Sequence, residues 1–267
     1  MIRLMLPKCS EELERMEGEL TARFVADRAA RVWDKPYIRE PLLSATHHKC
    51  AYCERRIGLG AGDVHIDHFR PKSRYPDEVV QWGNLLPACG HCNRNKSDFD
   101  TAVAPIANPF FDEPHKLFYL KNCRYCPLER DPESIGARTI DVLNLNDLND
   151  ECLPRFQVVS CAVDKLSQEL KYAAEQEDAL RNDVRKRNRA RTVLRDILRM
   201  CVPNAVFSAF VATAVRRDEG YAEYKNLLQR VGAWDDELEG LERQSDVCVF
   251  PDGPESDKCS CDLDRAR

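Results

Sequence analysis

The chain has 267 residues, of which 43% are hydrophobic and 32% are charged, a balance that is typical of soluble globular proteins. This length allows one large domain or two small ones. The chain has no apolar run that could span a bilayer and no export signal at its start, so we expect a cytoplasmic protein without a membrane partner. The 13 cysteines therefore favour metal binding over a disulfide framework. The net charge of −5 does not indicate nucleic-acid binding, although an acidic protein can carry its basic residues locally.

Residues 1–49 are predicted to form a helical arm. Ser10, followed by acidic residues, is typical of a helix start, and an apolar stripe continues to about Trp33. Pro36 is expected to break this helix, and a second short helix opens at Pro41. We expect the arm to contribute packing and no chemistry.

Residues 50–100 contain the densest pattern of chemically active side chains. Two Cys-x-x-Cys motifs, Cys50/Cys53 and Cys89/Cys92, flank this segment. Four thiolates in two such motifs complete a tetrahedral zinc site. A site of this kind is structural, because no coordination position is left open for a substrate.

Between and beside these motifs lies a second set of residues that suits phosphodiester hydrolysis. His68 has the intrinsic pKa of a general base near neutral pH. Asp67 and Asn93 offer hard oxygen ligands to a divalent cation such as Mg²⁺. Asn84 stands in a turn, where its amide can bond backbone and hold the loop near His68. The predicted order is strand, loop, strand and helix, which is a ββα-metal finger.

Two further histidines are additional candidates. His91 lies between Cys89 and Cys92 and could be a metal ligand, but residues inside such a motif usually point away from the metal. His65 would share a strand face with Asp67 and could contact the substrate or a ligand. For both histidines the alternative is a hydrogen-bonded structural role.

A basic segment follows the predicted first strand. Arg70, Lys72 and Arg74 stand next to the Asp-His pair, where they suit binding of backbone phosphates. Arg94 and Lys96, at the start of the following helix, are assigned to the same substrate-binding patch. A solvated loop is the alternative.

Residues 101–163 are predicted to be a connecting segment of helix and strand. A third Cys-x-x-Cys motif, Cys123/Cys126, could form a second zinc site with Cys152 and Cys161. Their spacing is irregular, so reduced thiols that hold no metal fit the pattern better.

Residues 164–242 are predicted to be a helical region. Its apolar pattern runs from Asp164 to Met200 with one break, and residues 181–199 carry eight Lys or Arg against two Asp. This basic face could bind nucleic acid or a partner, or it could be a solvated helix surface. Residues 243–267 are predicted to be a mobile acidic tail.

The motifs KCAYCE, HFRPKS and NLLPACGHCNRNKSD together resemble those of HNH endonucleases. Asn93 stands where that family commonly has histidine, so the chain resembles the His-Asn-Asn variant. With the later NPFFDEP loop and TIDVLNLN followed by Arg155, the sequence resembles the HNH nuclease component of Septu-type and retron-associated anti-phage systems. This resemblance covers about residues 45–160.

The resemblance implies an α+β, mostly helical fold, with a zinc-stapled ββα-metal (HNH) finger between an N-terminal helical arm and a helical C-terminal half. It also implies a metal-dependent endonuclease that hydrolyses DNA, with RNA not excluded. The nuclease of those systems works with an ABC/AAA-type (PtuA-like) ATPase, and residues 164–242 are the natural docking region for it. This chain contains no Gly-x-x-x-x-Gly-Lys-Ser/Thr loop of its own.

Two alternatives to this function stay open. One is a stand-alone, restriction-type HNH nuclease with the same chemistry and no ATPase. The other is a non-catalytic, zinc-stapled nucleic-acid-binding module in which Asp67 and His68 are structural.

Overall fold

The computed structural model describes residues 1–58 and 64–254. Gly58, Gly60 and Gly62 predict a turn between the first Cys-x-x-Cys motif and the first strand. Gly60 and Gly62, like Cys259 and Cys261 of the predicted tail, lie outside the described ranges. The described residues divide into two compact units, one formed by Met1–Asp147 with residues 252–254, and the other by Leu148–Pro251. In the described ranges, no helix combines the length and the apolarity that a bilayer crossing requires.

The expectation of an α+β, mostly helical fold is confirmed. The described residues form many α-helices and two separate two-stranded antiparallel sheets. Both sheets belong to the first unit, whereas the second unit is helical.

The N-terminal arm contains two helices. Helix α1 is Glu11–Ala26, and its start is capped by Ser10, whose hydroxyl accepts a hydrogen bond from the Leu13 amide at 3.2 Å. The helix ends well before Trp33, where it was predicted to end. At its C-terminus the Asp27 carboxylate accepts a hydrogen bond from the Ala29 amide at 2.9 Å, which favours a turn over another helical residue.

Helix α2 is Pro36–Ala45, and it begins at the proline that was expected to end the preceding helix. Proline suits the first turn of a helix because its missing N–H would have no helical acceptor there. Pro41, predicted to open the second helix, lies inside it.

The finger of the first unit has two short strands and one helix. Strand β1 is His65–His68 and strand β2 is Leu85–Ala88, paired antiparallel with Asp67 opposite Leu86. Helix α3, Gly90–Lys96, follows at once and is capped by Cys89, whose sulfur accepts from the Cys92 amide at 3.5 Å. The predicted order of strand, loop, strand and helix is therefore present.

The second sheet of this unit is a hairpin. Strand β3, Phe118–Lys121, pairs antiparallel with strand β4, Arg124–Pro127. Asn122 and Cys123 at the turn both have positive φ, which is the geometry of a tight two-residue hairpin. The third Cys-x-x-Cys motif thus begins in this turn and ends on β4, where Cys126 is buried against Tyr119.

Helix α4 is Ile135–Leu143, and it packs against α3. The Ser134 hydroxyl caps its start by accepting from the Ala137 amide at 3.2 Å. Asn144 ends it in the left-handed conformation, which asparagine adopts more readily than most residues other than glycine.

The second unit consists of helices that begin earlier and break more often than predicted. Helix α5 starts at Leu153, so the expected boundary at 163/164 lies inside a helix. Two breaks interrupt the expected continuous pattern instead of one, and Asp183 causes the second by capping the next helix through the amides of Arg185 and Lys186. The helices here are α5 Leu153–Glu175, α6 Glu177–Asn182, α7 Val184–Arg199, α8 Ser208–Arg217, α9 Glu219–Arg230 and α10 Asp236–Ser245.

The predicted tail begins within ordered structure. Residue 243 lies in α10, and a 3₁₀ turn, Asp246–Cys248, continues from it. Cys248 and Phe250 are buried, and the Phe250 amide donates to the Thr213 hydroxyl at 3.0 Å. The expected start of a mobile tail at 243 was therefore wrong, since residues up to 250 pack on the second unit.

Candidate active site

A cleft of about 910 Å³ lies in the first unit beside the finger. The finger contributes the side chains His65, Ile66, Asp67, His68, Asn93, Arg94, Ser97 and Asp98. The loop after β1 adds Pro71, Lys72 and Ser73. The N-terminal arm adds Phe24, Arg28, Arg31 and Trp33. Three of the four predicted catalytic residues therefore line one cavity.

His68, at the end of β1, is held in a defined orientation. Its Nε2 lies 2.9 Å from the Val79 carbonyl oxygen, which can only accept a hydrogen bond, so Nε2 carries the proton and Nδ1 keeps its lone pair. The Trp33 ring packs edge-on against the imidazole at 4.7 Å between centroids. Burial, together with the nearby cations Lys72 and Lys96, lowers the pKa of His68 to about 3. The imidazole is therefore neutral at neutral pH, with the Nδ1 lone pair unprotonated. This pKa is below the near-neutral value that the sequence predicted, so His68 in this cleft is a weaker base than a free imidazole.

Asp67 is buried and bonded through both carboxylate oxygens. Tyr52 donates its hydroxyl to Oδ2 at 2.6 Å, and the Lys96 ammonium donates to Oδ1 at 3.1 Å. Each carboxylate oxygen has a second lone pair, so these bonds orient the group and still allow it to ligate a cation.

The position of Lys96 differs from the expected one. It was assigned to phosphate binding, but its side chain is fully buried and pairs with Asp67. Its ammonium also donates to the His68 carbonyl oxygen at 2.7 Å. Lys96 therefore fixes the Asp-His strand from below the cleft surface and does not reach a substrate.

The two asparagines occupy different places. Asn93, on α3, lines the cleft with its Nδ2 3.4 Å from His65 Nδ1, which leaves its Oδ1 as the atom that could bind a cation. Asn84 lies outside the cleft lining and bonds backbone only. Its amide accepts from the Arg70 amide at 2.7 Å and donates to the Arg70 and Glu78 carbonyls. These bonds fix the loop that carries Val79 to His68, which is the kind of contact that the turn position predicts.

The four finger cysteines lie together and are buried. Their sulfur atoms all lie within 4.8 Å of one another, and those of Cys53 and Cys89 are 3.7 Å apart. A tetrahedral zinc ion with bonds of about 2.3 Å separates its sulfur ligands by about 3.8 Å, so this donor set fits the ion. In the described part of the chain, this is the only cluster of three or more Cys, His, Asp or Glu side chains that could hold a metal ion. Cys123 and Cys126 do not belong to it.

The remaining members of the predicted sets lie in several environments. Lys72 and Arg94 line the cleft. Arg70 pairs with Glu78 and lines a separate cavity of about 410 Å³, whereas Arg74 pairs with Asp100. His91 lies outside the cleft lining, and its Nε2 is 3.2 Å from the Asn144 carbonyl oxygen, so we do not include it in a metal site.

Sequence reasoning missed the contribution of the arm. It was expected to provide packing alone, but Arg28, Arg31 and Trp33 line the cleft. These side chains come from the turn after α1, and the continuous apolar stripe concealed that turn. The Asp27-Arg28-Ala29 sequence, with an Asx-turn former at its start, is the signal that could have revealed it.

The comparison with known proteins agrees with this geometry. The HNH endonuclease family matches residues 50–99, which contain the four cysteines, both strands and α3. Septu protein PtuB of Bacillus thuringiensis is 32% identical over 241 residues, covering 90% of this chain and 92% of that relative. The chain belongs to the PtuB family of HNH endonucleases. Because the similarity extends far beyond the finger, the family relation includes both units.

Proposed function

We propose that this protein is a metal-dependent endonuclease in which His68 is the general base for phosphodiester hydrolysis. The orientation of His68 carries the proposal. Nε2 donates its proton to the Val79 carbonyl, so Nδ1 is left unprotonated and can accept a proton from another group. The residue lies next to Asp67 in a cleft that also contains Asn93. In this role Nδ1 takes the proton of the attacking water.

Asp67 and Asn93 are the proposed ligands of the catalytic cation, with Mg²⁺ as the expected ion. When bound, the cation stabilises negative charge on the scissile phosphate and on the leaving oxygen. Tyr52 and Lys96 hold the Asp67 carboxylate, and Asn84 holds the loop that orients His68. We assign the four-cysteine cluster to one structural zinc ion, because it has no open position for a substrate.

DNA is the proposed substrate, and the experiment compares it with RNA. Purified protein is incubated with plasmid DNA or with total RNA, in Mg²⁺ or in EDTA. We expect cutting that requires Mg²⁺ and yields 5′-phosphate and 3′-hydroxyl ends. Products with 3′-phosphate ends would contradict the assigned leaving oxygen, and equal cutting in EDTA would contradict a metal-dependent reaction.

We also propose that the nuclease acts in anti-phage defence with a PtuA-like ATPase. The similarity to Septu protein PtuB over nine-tenths of the chain supports this role, and the chain itself contains no phosphate-binding loop of the Gly-x-x-x-x-Gly-Lys-Ser/Thr type. Affinity purification from the native host tests it. An ATPase recovered in a fixed ratio is the expected result, and a protein recovered alone with full nuclease activity would favour the stand-alone enzyme.

A further inference from the structure

We propose that the N-terminal arm is a substrate-binding element, and that Arg28 binds a backbone phosphate of the nucleic acid being cut. The inference rests on the proposed nuclease function and extends it to a segment outside residues 50–99, which the HNH family matches. Arg28 lies in the turn between α1 and α2, and this turn lines the same cleft as His68.

Arg28 is exposed and stacked. Its guanidinium carbon lies 5.2 Å from the centroid of the buried Phe24 ring. Stacking on an aromatic face restricts the guanidinium and leaves the N–H groups at its edge free to donate to a phosphate. Within the described ranges Arg28 forms no ion pair, whereas the neighbouring Arg31 pairs with Asp34 at 3.2 Å.

The charge in the cleft favours a polyanion. Four cationic side chains line it, against two carboxylates, Asp67 and Asp98. One of these carboxylates, Asp67, is paired with the buried Lys96, and one of the cations, Arg31, is paired with Asp34, so the excess of cations remains. The cleft is thus locally basic, although the whole chain carries a net charge of −5. A chain of phosphodiesters matches this excess, because each phosphate that meets a cation releases condensed counterions.

Trp33 connects the arm to the proposed catalytic base. Its ring packs edge-on against His68, and the Lys72 ammonium lies 5.1 Å from its centroid. The arm, the loop after β1 and the catalytic strand therefore meet at one aromatic side chain. A backbone bound by Arg28 lies in the cavity that contains His68.

The salt dependence of binding tests this inference. Wild type, Arg28→Ala, Arg28→Lys and the control Arg15→Ala are titrated in EDTA against a labelled DNA duplex and against RNA of the same sequence, from 50 to 200 mM salt. Arg15 is exposed on α1 and lies outside the cleft lining. Loss of one phosphate contact lowers the slope of log affinity against log salt by about 0.9 for duplex DNA, or by about 0.7 for a single strand.

For duplex DNA we compare the ratio of the affinity at 50 mM salt to the affinity at 200 mM salt. In Arg28→Ala this ratio should be about 3.5-fold smaller than in wild type, because a slope change of about 0.9 acts over a fourfold salt range. Arg28→Lys keeps the charge and should restore the slope. In Mg²⁺ the Ala variant should raise KM and retain kcat, since a uniform binding contact is lost. Arg15→Ala should match wild type in every measurement.

Two results would overturn the inference and leave the nuclease in place. One is an Arg28→Ala protein whose slope and KM equal those of a wild type that binds and cuts. The other is an Arg15→Ala protein whose salt slope falls as much as that of Arg28→Ala, which would indicate a general electrostatic attraction and no specific phosphate contact. A wild type that binds neither DNA nor RNA, alone or with the partner ATPase, would overturn both the inference and the proposed function.

Discussion

At the scale of single residues, the buried pair of Lys96 and Asp67 is the main electrostatic feature of the site. The two side chains are 0% and 4% exposed, with 3.1 Å between Nζ and Oδ1. A carboxylate that is buried without a cation is costly, so the lysine stabilises the charged form that a metal ligand requires. The same ammonium bonds the His68 carbonyl and thus holds both proposed catalytic residues.

Lys96→Met should therefore destabilise the protein by about 3–5 kcal/mol, because it leaves the Asp67 charge buried without its cation. Urea unfolding followed by circular dichroism measures this change. Lys116→Met is the matched control, since Lys116 is 70% exposed and pairs with Glu113 at the surface. It should not change the unfolding midpoint measurably. Equal midpoints for the two variants would contradict the account of the buried pair.

The residues with local spacing could be predicted from the sequence, and those with tertiary partners could not. The grouping of the four cysteines, and of Asp67, His68 and Asn93 along one cleft, follows from spacing within a short segment. The burial of Lys96 depends on how α3 packs against β1, which its position after Asn95 does not reveal. A lysine two residues after Arg94 was thus taken for a phosphate contact.

At the scale of elements, the finger is too small to form a core from its strands alone. Its strands contain four residues each and its helix contains seven. Isolated hairpins and short helices are marginally stable in water. The four-cysteine cluster joins the turn at Cys50/Cys53 to the start of α3, and the Ala51 amide bonds the Pro87 carbonyl of β2 at 2.9 Å.

We expect about one zinc ion per chain and loss of folded finger structure in Cys92→Ser, because binding of a structural zinc contributes directly to folding. Elemental analysis and circular dichroism measure the two quantities. Cys161→Ser, at an exposed position on α5, is the control and should keep both. Two zinc ions per chain, or a folded Cys92→Ser protein without zinc, would contradict a single structural site.

The basic helix α7 has acidic partners within its own unit. Arg191 pairs with Asp235 at 2.8 Å, Arg199 pairs with Glu237 at 2.9 Å, and α7 packs against α10. The sequence alone left open a nucleic-acid face here, because the acidic residues that neutralise it come from a later helix. These pairs compensate part of the charge of α7.

Arg191→Ala and Arg199→Ala should therefore leave DNA affinity and its salt slope unchanged within error. Fluorescence anisotropy with the duplex used for the Arg28 variants gives the comparison. A reduced slope in the α7 variants would restore the interpretation of this helix as a second nucleic-acid face.

At the scale of the whole molecule, composition gave little information on function. The net charge of −5 does not indicate a nucleic-acid-binding protein, yet the cleft of the first unit is locally basic. The division of the chain falls between Asp147 and Leu148, inside the segment that was predicted to be a connector. No local signal marks that point, because the division is set by which side chains pack together. The helical regions were predictable because their apolar periodicity is long, whereas the α+β class as a whole was what the resemblance to HNH nucleases implied.

The central claim is that His68 is the general base of a metal-dependent nuclease. The most direct test is the rate of DNA cleavage in Mg²⁺ by wild type, His68→Ala and His115→Ala, with the partner ATPase present if wild type requires it. We predict a loss of about 10²–10⁴-fold for His68→Ala and an unchanged rate for His115→Ala, whose side chain is exposed and outside the cleft lining. Cleavage by a folded His68→Ala protein at the wild-type rate would contradict the account.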